Sequence, residues 1–130
     1  MISVGIDLVD IEEFTQSIKR TPDVQKRLFS ADEQKTHKHA TVQNLAAWFA
    51  VKEAIMKAIW NRINVSIEWH DIFVKHGSEG QPFVELSQSL LSRIRDVKIG
   101  NISISLSHVS RTAAAVALVE IQQKTKTDEE

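Results

Sequence analysis

From Ile2 to Ile11 the chain reads ISVGIDLVDI, with Ile2, Val4, Ile6 and Leu8 alternating with Ser3, Gly5 and Asp7. A period of two sends successive side chains to opposite faces of a strand. The pattern therefore predicts a strand that buries the Ile2–Leu8 row and points Asp7 away from it. Glu12-Glu13 and Lys19-Arg20 then bracket a short segment in the order that suits a helix dipole, and Thr21-Pro22 stops it. Ser30 and Glu33 have capping-box spacing, but the QKTHKHATV stretch behind them has little apolar periodicity and predicts a weak polar helix or a loop.

The strongest helical signal spans Val42 to Asn61. At about 100 degrees per residue, Leu45, Trp48, Phe49, Ile55, Met56, Ile59 and Trp60 gather on one broad side. Residues 70–75 and 82–86 read as two strands around HGSEGQ, a segment whose glycines suit a hairpin turn. Leu86 to Ile94 reads as a short helix. Ile102, Ile104, Leu106 and His108 alternate with Ser103, Ser105 and Ser107 as a strand, and a turn at Ser110-Arg111 leads into TAAAVALVEI, a further strand. The polar end, residues 123–130, is expected to be a disordered tail, which leaves one α+β domain over 1–122.

Composition narrows the picture. The 130 residues are 42% apolar and 25% charged, as in one domain with its own core. Sixteen Lys and Arg against seventeen Asp and Glu give a net charge of -1, so no global field recommends nucleic acid or an anionic membrane. With no Cys there is no disulfide, thiolate nucleophile or Cys-ligated metal. The N-terminus carries acids where a secretory signal carries bases, and no apolar run approaches the roughly 18 residues that span a bilayer. A cytoplasmic location is expected.

A few residues can carry chemistry, each with a bland reading beside it. Asp7 is a carboxylate in an apolar strand, either capping a backbone group or serving a site. Glu53 and Lys57 form an i, i+4 pair, ordinary on an exposed helix. Lys52 falls near the middle of the apolar stripe, where a charge must snorkel, pair, or face another subunit or a ligand. His108 ends a strand at a turn, where a ligand could be met or the ring satisfied locally. His37, His39, His70 and His76 lack zinc spacing, the first two lying about 200 degrees apart on a helix, and are expected at the surface. Trp48 and Trp60 are expected to pack the core. No Walker loop or GxGxxG occurs, so a phosphate-bearing ligand needs side chains and a metal.

Taken together, the segments resemble the holo-acyl-carrier-protein synthase family, the small phosphopantetheinyl transferases. GIDLVDIEEF is similar to that family's GIDIVEIxRI opening, FSADEQ to its F-[LT]-x-x-E segment and WFAVKEAIMKAI to its RFAAKEAxxKA helix. GQPFV is similar to its GKPYV hairpin, and ISLSHV with AAAVALVE to its ISISHT and AAAxVxxE ending. The resemblance implies a phosphopantetheinyl transferase-like α+β fold, a small antiparallel sheet packed against a long central helix. It also implies transfer of 4'-phosphopantetheine from coenzyme A to a serine of an apo acyl carrier protein, with magnesium, releasing 3',5'-ADP.

By the same resemblance Asp7 and Glu53 are the metal ligands, and Glu53 also helps to deprotonate the serine through water. Lys57 assists the leaving phosphate, Lys52 contacts phosphate, and His108 lies beside the coenzyme. Family members are usually homotrimers with sites at subunit interfaces, and their basic first helix docks the acidic carrier, which here selects Lys19, Arg20, Lys26 and Arg27. The sequence departs from the family at Trp48, in place of an arginine, at IWNRINVS, in place of a glycine turn, and at Val109, in place of a threonine. These departures suit a specialised carrier protein; the alternative they raise is a catalytically inactive carrier-binding or assembly module.

Overall fold

In the computed structural model of the chain, which describes residues 1–125, strand β1 (Ile2–Asp10) runs directly into helix α1 (Ile11–Arg20). Asp10 makes the junction, its side chain accepting the backbone N–H of Glu13 at 2.9 Å. Two six-residue helices follow, α2 (Asp23–Leu28) and α3 (Ala31–Thr36), the second started by the capping box of Ser30 and Glu33. The long helix α4 (Val42–Ile59) is capped by Thr41. A 3-10 turn (Trp69–Asp71) leads into the hairpin β2 (Ile72–His76) and β3 (Pro82–Leu86), whose turn holds Gly80 at a φ of 85°. Helix α5 (Gln88–Arg93) precedes β4 (Val97–His108) and β5 (Thr112–Gln123).

The three long strands form an antiparallel sheet in the order β1-β5-β4, and β2-β3 form a separate pair. Helix α4 lies across one face of the sheet. Its buried side presents Ala46, Ala47, Ala50, Ala54 and Ala58, and the strand beneath answers with Ala113, Ala115 and Ala117. Small residues on both sides let helix and sheet approach closely. Gly5 marks the tightest point: a Cβ there would overlap the carbonyl oxygen of Ala54.

This approach reverses one expectation. Ser3, Gly5 and Val9 are the buried positions of β1, while Ile2, Val4, Ile6 and Leu8 face outward and Leu8 is 68% exposed. Only the small row fits under α4, so the large apolar row occupies the opposite face. Across the sheet that outer face continues through Val116 and Leu118 to Ser103, Ser105 and Ser107 of β4. On β4 itself the rows divide as expected, with Ile102, Ile104 and Leu106 half-buried on the helix side and His108 exposed.

Trp60, expected in the core, lies just past the last helical residue and is exposed. The polar end starts later than expected, since β5 includes Gln123 and the Lys124 Nζ donates to the Ile94 carbonyl at 3.1 Å. Residues 126–130 of the expected disordered tail lie outside the described residues.

Candidate active site

Asp7 sits on the helix-facing row of β1, opposite Ala115, at the point where α4 crosses the strand. That row brings its carboxylate beside α4, from which Glu53 and, one turn later, Lys57 project. Lys57 bridges the two elements: its Nζ donates to Asp7 Oδ1 at 2.8 Å and to the Ile6 carbonyl at 3.1 Å. The i, i+4 partner expected from sequence is thus replaced by a cross-element one, because the ammonium reaches both an ionised carboxylate and a backbone acceptor on β1.

The three side chains open into a cleft of about 430 Å³ between β1, α1, α2 and α4. Its polar rim includes Asp10, Glu13 and Ser17, and its apolar wall includes Phe14, Val24, Leu28 and Phe49. Phe14 and Phe49 stack with ring centroids 5.5 Å apart, tying α1 to α4.

Electrostatics distinguishes the two carboxylates. Burial, followed by the nearby negative charge of Asp7, pushes the Glu53 carboxyl above the ordinary carboxylate range, and Lys57 opposes the shift. The hydrogen bond that Lys57 donates to Asp7 leads the causes that hold its ammonium above the usual value. A carboxylate destabilised by a like charge has a reason to gain either a proton or a cation. Two hard oxygen donors on separate elements fit magnesium, which binds one or two carboxylates and completes its shell with water and substrate phosphate. Among the described residues no cluster of three or more His, Cys, Asp or Glu could enclose a metal by itself. A cation here would therefore be shared with a ligand.

Two other predicted residues lie elsewhere. Lys52 does not face the cleft: it is wholly buried, and its Nζ is taken up by Glu33 Oε1 at 2.7 Å, the Leu28 carbonyl at 2.7 Å and the Trp69 carbonyl at 3.1 Å. This corrects the expectation of a phosphate contact, since an ammonium has three donors and all three are used. Of the alternatives its wheel position left open, pairing is the one realised.

His108 lies on edge strand β4 opposite Ala113, which in turn pairs with Val9, and does not line the cleft of its own chain. His37 departs from its expected surface position. It is 4% exposed, its ring stacks on Trp48 at 3.9 Å, and the His76 ring meets that tryptophan edge-on at 4.9 Å. Asp10, Glu13 and Ser17 were not singled out from the sequence; their approach to Asp7 depends on the fold of α1 against β1.

The family model described as the 4'-phosphopantetheinyl transferase superfamily matches residues 3–118. A holo-acyl-carrier-protein synthase of Moorella thermoacetica is 38% identical over 92% of this chain and 94% of its own length. That of Alkaliphilus metalliredigens is 32% identical over 88% and 95%. Among solved structures, the holo-acyl-carrier-protein synthase of Helicobacter pylori in complex with coenzyme A superposes with a TM-score of 0.76 at 29% identity, covering 90% of this chain and 99% of that one. The Mycobacterium tuberculosis acyl carrier protein synthase gives 0.68 at 33% identity over 91% and 96%.

Proposed function

Because this chain belongs to the 4'-phosphopantetheinyl transferase superfamily, as a holo-acyl-carrier-protein synthase that moves phosphopantetheine from coenzyme A to an apo acyl carrier protein, we propose that the Asp7–Glu53–Lys57 cleft performs the transfer with magnesium and releases 3',5'-ADP. One observation carries this reading: two carboxylates from different elements, and an ammonium bonded to Asp7, open into one cleft with an apolar wall.

The carrier serine oxygen attacks the phosphorus that bears pantetheine, the bond to the bridging pyrophosphate oxygen breaks, and that oxygen leaves with 3',5'-ADP. Glu53 accepts the serine proton through water. Lys57 turns its charge to the phosphate that leaves, stabilising the negative charge that develops there. Asp7 and Glu53 would hold the magnesium ion, whose contribution is to neutralise pyrophosphate charge.

The carrier docks on the exposed basic turns that end α1 and α2, Lys19, Arg20, Lys26 and Arg27, since carrier proteins of this class are acidic. A homotrimer is supported by the outward apolar row of β1 together with Val116 and Leu118, a face suited to a second copy of the chain. Among the described residues no helix is long and apolar enough to cross a membrane, and a cytoplasmic location belongs to the same proposal.

The test is intact-mass measurement of a panel of apo carrier proteins after incubation with the protein, coenzyme A and magnesium. A magnesium-dependent gain of one phosphopantetheine group is expected. Glu53→Gln should lower the rate by about 100-fold or more while leaving the fold intact. Wild-type rates in a folded Glu53→Gln variant would remove Glu53 from the reaction.

A further inference from the structure

We propose that Lys52 and Glu33, a buried ion pair away from the reacting groups, are positioning residues that anchor α2 and so hold the surface on which the carrier protein docks. The docking half of this inference rests on the functional reading above.

The pair joins five parts of the fold. From α4, Lys52 Nζ reaches the last carbonyl of α2 at Leu28, the Trp69 carbonyl in the 3-10 turn, and Glu33 on α3. Glu33 Oε1 also accepts the Ser30 N–H at 3.0 Å, and its Oε2 accepts the Val74 N–H of β2 at 3.0 Å. Side-chain exposure is 0% for Lys52 and 3% for Glu33.

A buried ion pair costs desolvation on both partners, and apolar residues of similar volume often stabilise a core as well or better. Apolar residues, however, cannot hold directional bonds to separate backbone segments. A six-residue helix is too short to persist on its own propensity, and its last carbonyls have no partner within the helix. Lys52 supplies such a partner to α2 at Leu28.

The consequence reaches both sides of that helix. Val24 and Leu28 form part of the cleft wall, while Lys26 and Arg27 are exposed. A second tie lies at the surface, where His70 Nε2 is 2.8 Å from the Lys26 carbonyl oxygen. Loosening α2 should therefore blur the basic docking surface and leave Asp7, Glu53 and Lys57, on β1 and α4, in place.

The decisive variant is Glu33→Gln combined with Lys52→Met, which removes both charges at similar volume and keeps an amide oxygen for a backbone donor. Circular dichroism and thermal unfolding establish that it folds. Hydrogen exchange read by mass spectrometry should then show the amides of residues 24–28 exchanging about tenfold faster or more. In steady-state transfer the KM for carrier should rise about fivefold or more, while coenzyme A affinity stays within about twofold.

Wild-type protection of α2 and a wild-type carrier KM in the folded variant would overturn the proposal, as would an equal loss of coenzyme A binding. If the double variant does not fold, hydrogen exchange of the wild-type chain decides: the amides of residues 24–28 should be protected to within about tenfold of those of α4, and exchange as fast as that of a free segment would overturn the proposal. The exchange measurement needs no turnover, so absence of transfer by the wild-type protein would sink the functional reading while the anchoring of α2 is decided separately.

Discussion

His37 is an uncharged ring at neutral pH, and its neighbours explain why. Burial lowers its pKa from the ordinary 6.5 to about 4; Glu33 on α3 opposes the shift, and His76 on β2 and Lys52 on α4 add to it. Neither ring nitrogen has a hydrogen-bond partner among the described residues. An unfolded chain takes up a proton near pH 6.5 while the folded one resists until about pH 4. The stability that neutral His37 retains above pH 6.5 is therefore lost as pH falls through that window, by about 2–3 kcal/mol. Replacing it by Phe keeps a ring on Trp48 and removes the titration, so urea unfolding of His37→Phe should depend less on pH between 4 and 6.5 than wild type; parallel curves would contradict this. The sequence could not disclose this burial, since the apolar periodicity that identifies an inward position is missing around HKH. Lys52 was half legible: its place in the α4 stripe demanded a partner, but Glu33 is nineteen residues away and becomes a neighbour only when α3 packs on α4. Asp7, Glu53 and Lys57 could be singled out in the sequence, but that they share one cleft could not, because the strand period separates Asp7 from the Ile2–Leu8 row without telling which row faces α4.

At the scale of elements, period identifies a strand, but what packs on it decides which face is inside. The ISVGIDLVDI alternation correctly predicted β1 and pointed to the wrong buried row, because large residues are favoured inside only where there is room for them. Where β1 passes closest to α4 there is no room for a side chain at Gly5, and the facing positions of β5 and α4 are largely alanines. Gly5→Ala places a methyl group against the backbone of Ala54, where no rotamer relieves it, and should cost about 3 kcal/mol through separation of β1 from α4. Because Asp7 and Lys57 bridge those same elements, coenzyme A binding should weaken together with the urea midpoint. An unchanged midpoint would show that the helix can shift freely, and that close packing does not set the site. Helix α2 escaped sequence reading for a related reason. Six residues carry too little periodicity to announce a helix, and tertiary bonds to its terminal carbonyl complete it.

For the whole molecule, the two faces of the long sheet have opposite needs: α4 covers the inner one, and the proposed homotrimer would cover the outer one. Val4, Ile6 and Leu8 are each more than half exposed, beside Val116 and Leu118 on the neighbouring strand. Val4 pairs with Leu118, so Val4→Lys combined with Leu118→Glu puts opposite charges on facing strands, preserving the pairing while making the outer face polar. Light scattering should then fall from the trimer to the protomer mass with circular dichroism unchanged; a trimer mass in this variant would place the subunit contact elsewhere. The proposed assembly would give His108 a role that a single chain does not. It lies two strands from Val9 and outside its own cleft, so a coenzyme contact by His108 requires delivery to a neighbouring subunit. Glu53→Gln and His108→Ala should each lower transfer when purified alone. Unfolding and refolding them as a mixture should restore part of the activity, because some interfaces would then join an intact Glu53 to an intact His108. Refolding that restores nothing, while mixed trimers are confirmed by mass, would confine the working site to one chain and remove His108 from it.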